Sequence, residues 1–228
     1  MVIIKDVLES SFIDYPKKIS LVIFTAGCNF RCHYCHNPEL VEPELPFMSE
    51  EKTLKKIESK KDWIDGVVIT GGEPTLHADL PEFIKKIKEM GLMVKLDTNG
   101  TNPEMIRKLM EEELIDYIAM DVKAPLEEYS KVTSVKIDES LIKKSIELIK
   151  NSGIEYEFRT TILPKLLKEE DIIKIGYLLN GAKLLALQTF KNKKTLDSEY
   201  KTQKSYLQPQ MEHFSRVIKP FVKTVITR

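Results

Sequence analysis

The stretch Ile23-Phe-Thr-Ala-Gly-Cys28-Asn-Phe-Arg-Cys32-His-Tyr-Cys35-His-Asn-Pro-Glu-Leu40 runs out of a short β-branched segment, Ile19–Thr25, and carries all three cysteines of the 228-residue chain. Three residues and then two separate the cysteines. An odd number in one tight group is a poor disulfide framework; in a reducing compartment it reads as a ligand or redox site. A loop with this spacing can fold three sulfurs around one side of a small inorganic cluster, and thiolates are soft ligands suited to iron–sulfur centres. Three ligands for four irons leave one iron open for chemistry. The alternative is a structural zinc ion held by the three cysteines plus His33 or His36. Spacing alone leaves both open.

Outward from this loop, short apolar runs alternate with longer amphipathic ones. Ile19–Thr25, Gly66–Thr70, Met93–Asp97, Tyr117–Asp121, Glu155–Ile162 and Leu184–Thr189 read as strands by length and β-branched content. Leu80–Met90 reads as a helix begun by Asp79 and stopped by Gly91. Asn102-Pro103 opens the next, with a capping residue before proline at the first helical position. Asp138 opens a third that Gly153 closes, and Glu169–Leu179 and Met211–Ile218 follow. The last residues, VKTVIT, add a strand, and Lys191–Lys204 reads as solvated loop. Strand-then-helix alternation implies an α/β fold with parallel strands and right-handed crossovers. A doubly wound sheet and a barrel both fit. The unusual residues fall at the C-terminal ends of strands: Cys28–Cys35, Gly71-Gly72-Glu73, Asp97–Gly100, Asp121–Lys123, Arg159 and Gln188–Phe190. That is where α/β barrels place their chemistry.

Composition narrows the partners. Lysine and arginine number 35, aspartate and glutamate 35, so no charge excess favours nucleic acid or an anionic membrane. No run of 18 apolar residues is present to span a membrane. Lys5, Asp6 and Glu9 stand where a signal peptide would have its apolar core. A cytoplasmic protein of one domain, residues 1–228, is expected.

CxxxCxxC with Tyr34 before the third cysteine, together with Gly71-Gly72-Glu73-Pro74 after the second strand and six strand–helix units, resembles the radical S-adenosylmethionine (SAM) superfamily. The resemblance covers nearly the whole chain and implies a partial (β/α)6 TIM-like barrel. It implies a [4Fe–4S] cluster on Cys28, Cys32 and Cys35 whose open iron is chelated by SAM. One electron then cleaves the sulfonium to methionine and a 5′-deoxyadenosyl radical, which abstracts a hydrogen atom.

The same resemblance assigns the remaining residues. Tyr34 and His36 lie by the adenine, and Gly71, Gly72 and Glu73 hold the methionine amino group. Asp97-Thr98-Asn99-Gly100 and Asp121-Val122-Lys123 match SAM-facing loops of glycyl-radical activases. By analogy with pyruvate formate-lyase activating enzymes, Asp97, Thr98 and Asp121 bind a monovalent cation. Arg159, inside a strand-like run, suits a carboxylate, and the resemblance supplies that of methionine. Phe190 stands where those activases carry histidine. Read without the resemblance, the glycine pair is an ordinary turn, Asp97–Gly100 a turn of suitable composition, and Asp121–Lys123 a surface ion pair. His77 and His213 are read as structural or exposed.

Within the superfamily the likeness is to glycyl-radical enzyme activating proteins, nearest the anaerobic ribonucleoside-triphosphate reductase type. Asp14-Tyr15-Pro16-Lys17-Lys18-Ile19-Ser20, the cysteine stretch and GGEPTLH carry it, with Lys17 where glycine is common. The implied partners are a glycyl-radical enzyme as protein substrate and a low-potential electron donor such as flavodoxin or ferredoxin. The competing readings are a radical enzyme acting on a small nucleotide or cofactor substrate, and a non-catalytic zinc protein.

Overall fold

The computed structural model describes residues 1–42 and 44–228. Two compact units divide the chain. The first comprises residues 1–29, 39–98 and 102–119, the second residues 30–38, 99–101 and 120–228.

In the first unit β1 (Ile4–Ser11) runs antiparallel to β2 (Ser20–Thr25). The short α1 (Pro38–Val41) and α2 (Glu50–Lys60) lead to β3 (Gly66–Gly71), parallel to β2 in the register Ser20 with Gly66 to Thr25 with Gly71. Then come α3 (Leu80–Glu89), β4 (Met93–Thr98), parallel to β3, α4 (Pro103–Glu111) and the start of β5 (Tyr117–Asp121). The strand order is the chain order, β1 to β5. The four predicted strands that begin in this unit are present within one residue of their expected ends. β1 was not expected: only Ile4 and Ser11 of its eight residues are buried, so it lacks the alternation that marks a half-buried strand. α2 escapes for a similar reason, since it buries only Thr53 and Ile57.

Helix α3 shows why the pattern works elsewhere. Leu80, Phe83, Ile84 and Ile87 recur at helical spacing and are all buried, each contributing about 1.5–3 kcal/mol by leaving water. Asp79 precedes this helix but makes no side-chain cap. Asn102 does cap α4, accepting from the Met105 N–H at 3.1 Å ahead of Pro103. Tyr15, Val22, Val68, Tyr117 and Ala119 pack into one cluster.

The second unit carries the end of β5, α5 (Tyr129–Thr133), α6 (Glu139–Asn151), β6 (Glu155–Ile162), α7 (Glu169–Leu178), β7 (Leu184–Thr189), α8 (Gln208–Ile218) and β8 (Thr224–Thr227). Strand order again follows the chain, and β6, β7 and β8 are parallel. Asp138 caps α6 through the Ser140 N–H at 3.0 Å, and Gly153, at φ +77°, ends it. The loop after β7 is less solvated than expected. Its lysines are exposed, but Thr195 and Tyr200 are buried and Ser198–Thr202 forms a 3₁₀ turn.

Back in the first unit, the tightest backbone contact sits where β3 ends. A Cβ on Gly72 would lie 2.0 Å from the Gly27 carbonyl oxygen and 2.9 Å from that of Leu40. Gly72→Ala is expected to cost about 3 kcal/mol, since no side chain can swing away from a backbone clash. Gly153→Ala, with open space around its Cβ, should cost roughly 1–2 kcal/mol for its left-handed backbone alone. Urea unfolding of the two variants checks the difference.

Candidate active site

The residues singled out in the sequence fall into both units. In the first, Cys28 leaves β2 through Ala26 and Gly27. The Gly27 N–H donates to Leu40 O (2.8 Å) and the Cys28 N–H to Val41 O (3.3 Å). The Gly72 N–H donates to Thr25 O (2.9 Å) and the Glu73 N–H to Gly27 O (2.8 Å). Gly71, at φ +128°, and Gly72 are thus glycines because the protein's own backbone at Thr25 and Gly27 comes this close. Glu73 is buried, and its Oε1 accepts from the Thr75 N–H (3.0 Å) and from the hydroxyls of Thr75 (2.5 Å) and Thr98 (2.8 Å). Asp97 is ion-paired with Lys95 on the same strand. His77 is half-buried and hydrogen-bonded to the Ala26 backbone, and burial depresses its imidazole pKa, in keeping with a structural role.

In the second unit Cys32 is buried and Cys35 partly so, and the Cys35 N–H donates to Cys32 O at 2.9 Å. All three cysteines are free of disulfides. Tyr34 is buried with its hydroxyl unpartnered among the described residues. Burial holds the phenol well above its ordinary pKa, so it stays a hydrogen-bond donor at neutral pH. Asn99 is buried and closes a turn, its Oδ1 accepting from the Thr101 N–H (3.0 Å) and hydroxyl (2.7 Å).

Asp121, at the end of β5, is the hub of an ionic group. Its Oδ1 accepts from Arg159 Nε at 2.7 Å and its Oδ2 from Lys123 Nζ at 2.8 Å. Burial alone would raise the Asp121 pKa, but Arg159 and Lys123 outweigh it and hold the carboxyl well below its ordinary range. Burial likewise opposes the Lys123 charge, and Asp121 reverses this, so the ammonium persists. Arg159 lies inside β6 rather than past its end, because the strand continues to Ile162. Val122 is buried and ties β5 to β6, its N–H donating to Arg159 O at 2.8 Å.

Sequence reasoning passed over three residues that shape these groups. Tyr129 is fully buried; its hydroxyl accepts from the Lys123 N–H (3.1 Å) and donates to Asp121 O (3.3 Å), locking the turn. Asp197 clasps the cysteine loop: its N–H donates to His33 O (2.9 Å), and its Oδ2 lies 2.9 Å from His33 Nδ1. Lys95 lies two residues before Asp97, a spacing that in a strand places both side chains on one face and was visible in the sequence.

The two histidines considered as zinc ligands are engaged elsewhere. His33 is on Asp197 and against the Tyr200 ring (5.7 Å). His36 stacks on Phe190 at 5.6 Å and 21°, is hydrogen-bonded to the Lys191 backbone, and has its pKa depressed by burial. Phe190 therefore fills the place expected of a histidine with an apolar ring buried under His36. His213 is exposed and pairs with Glu169 at 3.0 Å. The residue types present suit an iron–sulfur cluster with SAM: three cysteines outside any disulfide, a turn whose carbonyls can accept from an ammonium, and the buried Tyr34 hydroxyl, unpartnered among the described residues.

Comparison with known proteins bears on the same residues. A model of the radical SAM superfamily matches residues 22–175. The chain is 38% identical over 236 aligned positions to a protein of Methanocaldococcus jannaschii provisionally named a glycyl-radical enzyme activating enzyme, covering 99% of this chain and 95% of that one. It is 28% identical over 173 positions to a pyruvate formate-lyase-activating enzyme of Clostridium pasteurianum, covering 72% and 70%. The solved structure of Streptococcus suis SuiB bound to its precursor peptide SuiA matches with a TM-score of 0.71 at 13% identity, a likeness of fold alone. That match covers 91% of this chain and 48% of SuiB. No helix among the described residues is long and apolar enough to cross a membrane. The non-catalytic zinc reading gives way to the family match: the chain belongs to the radical SAM superfamily and is a radical SAM enzyme of the activating type.

Proposed function

We propose that the chain holds one [4Fe–4S] cluster on Cys28, Cys32 and Cys35 and uses SAM to place a radical on a backbone glycine of a large partner enzyme, an anaerobic ribonucleotide reductase or similar. The observation that carries this reading is the end-to-end likeness to the provisionally named M. jannaschii activating enzyme, joined to three disulfide-free thiols. When bound, the cluster and SAM supply one-electron cleavage of the sulfonium and hydrogen-atom abstraction. Residues 1–228 act as one radical SAM domain in the cytoplasm, with a low-potential flavodoxin or ferredoxin as donor. A glycine Cα radical is stabilised by its flanking amides and destroyed by oxygen, so the activity is anaerobic.

The chain's own residues bind and orient. The N–H groups of Gly72 and Glu73 are already used on Thr25 and Gly27, so the turn meets the methionine ammonium with oxygen acceptors. Arg159 receives the methionine carboxylate, with Asp121 holding its guanidinium from the end of β5 and Tyr129 fixing that strand end. Tyr34 and His36 lie against the adenine, and Thr98, Asn99, Val122 and Lys123 complete the walls. Phe190 backs the exposed His36 with a buried apolar ring where related activases carry a polar one.

The deciding experiment is anaerobic reconstitution with iron and sulfide followed by electron paramagnetic resonance. A reduced [4Fe–4S] signal that changes on adding SAM, with 5′-deoxyadenosine in the same tube, is expected. Cys28→Ala, Cys32→Ala and Cys35→Ala should each lose the signal. A preparation holding zinc and no iron would defeat the proposal. A radical signal at a glycine of a candidate partner then separates an activase from an enzyme of small substrates.

Tyr34→Phe removes a buried hydroxyl that costs about 1 kcal/mol while unpaired. The apoprotein should be more stable by that amount, while SAM affinity falls about tenfold. Thermal melting and SAM titration measure the two halves.

Asp121→Asn removes the carboxylate from between two largely buried cations and should cost about 3 kcal/mol. Because the folded pKa of Asp121 lies below its ordinary 3.8, its contribution is complete above that value and is lost as pH falls through the folded pKa. The gap between native protein and variant should hold constant from about pH 8 to 5 and narrow only in stronger acid. Urea unfolding across pH checks this.

A further inference from the structure

The monovalent cation expected on Asp97, Thr98 and Asp121 meets acids that are already compensated. Lys95 and Asp97 share one face of β4, and the Lys95 side chain is 2% exposed with its ammonium on Asp97 Oδ1. That ammonium also stands 6.0 Å from the Tyr117 ring centroid. A buried ammonium without a counter-charge is not tolerated, so this lysine and this carboxylate require each other. Thr98 turns its hydroxyl hydrogen to Glu73 at 2.8 Å. Asp121, taken by itself, carries two cations, Lys123 on one oxygen and Arg159 on the other. Sodium or potassium added to either carboxylate would stand beside a like charge the protein has already placed there.

We infer that Lys95 is a built-in cation: a positioning residue whose ammonium gives Asp97 the positive charge a bound monovalent ion would bring, so that the enzyme binds SAM without sodium or potassium. A fixed ammonium differs from a bound ion in one testable way, since it cannot be dialysed away. The inference rests on the SAM reading proposed above, and the experiment separates the two.

SAM is titrated into the reconstituted native protein in tetramethylammonium chloride and in potassium or sodium chloride of equal ionic strength, following the change in the reduced cluster signal. The dissociation constants should agree within about twofold, and a tightening of about tenfold in potassium or sodium would overturn the inference. Lys95→Met keeps the volume and removes the charge. Its SAM affinity should fall about tenfold in tetramethylammonium and return in potassium; unchanged affinity without the ion would count against Lys95. Rubidium equilibrium dialysis needs neither SAM nor the variant: the native protein should take up none, and uptake of one equivalent would refute the proposal. A cluster signal indifferent to SAM in every salt would instead strike the SAM reading, while rubidium uptake still decides this one.

Discussion

The contact on which the site depends is between two pieces of backbone. Gly72 donates to Thr25 and Glu73 to Gly27, with no room for a Cβ between Gly72 and the Gly27 carbonyl. These bonds set how the chain leaves β2, and therefore where Cys28 begins its loop. They also fix Glu73, whose Oε1 gathers Thr75 and Thr98 and so ties the end of β3 to the end of β4. A side-chain contact could adjust to a mutation by rotation; a backbone contact cannot. That is why glycine, the least stabilising residue for a strand end, is the one that fits.

The charged residues follow a second constraint. Lys95, Asp97, Asp121, Lys123 and Arg159 are largely removed from solvent, and each is paired. Burying ion pairs seldom gains net stability, because desolvation offsets the Coulomb attraction. What pairing provides is geometry: Asp121 held from two sides, with the Tyr129 hydroxyl bridging the same turn, has one orientation. An enzyme that must keep a reactive radical from its own side chains benefits from such rigidity more than from a small gain in stability.

Much of this was legible in the sequence, and the exceptions share a cause. The parallel strands read correctly because they are buried on both faces and β-branched, and the capped helices because Asn102 and Asp138 act locally. β1 and α2 were missed because each buries only two residues, leaving no pattern to detect. The cysteine loop and the glycine turn were legible as motifs, whereas the reason for the glycines was not, since the clash lies with backbone some 45 positions earlier. The His33–Asp197 clasp spans 164 positions and has no local signature. Lys95 differs: alternation along β4 puts it beside Asp97, so the pair could be read from spacing alone.

That clasp completes the account of the cysteine loop. Between Cys32 and Cys35 the chain offers only His33 and Tyr34, and the two are used in opposite ways. Tyr34 turns inward with an unpartnered hydroxyl. His33 is fastened to Asp197, whose own segment is anchored by the Thr195 hydroxyl on the Asp197 carbonyl at 2.7 Å. Tyr200 backs the imidazole, and Lys165 lies 4.6 Å over the Tyr200 ring. Within the second unit, the His33 turn is thus held by a segment whose lysines are exposed while Thr195 and Tyr200 are buried, which explains why that segment packs like core on one side and like solvated loop on the other.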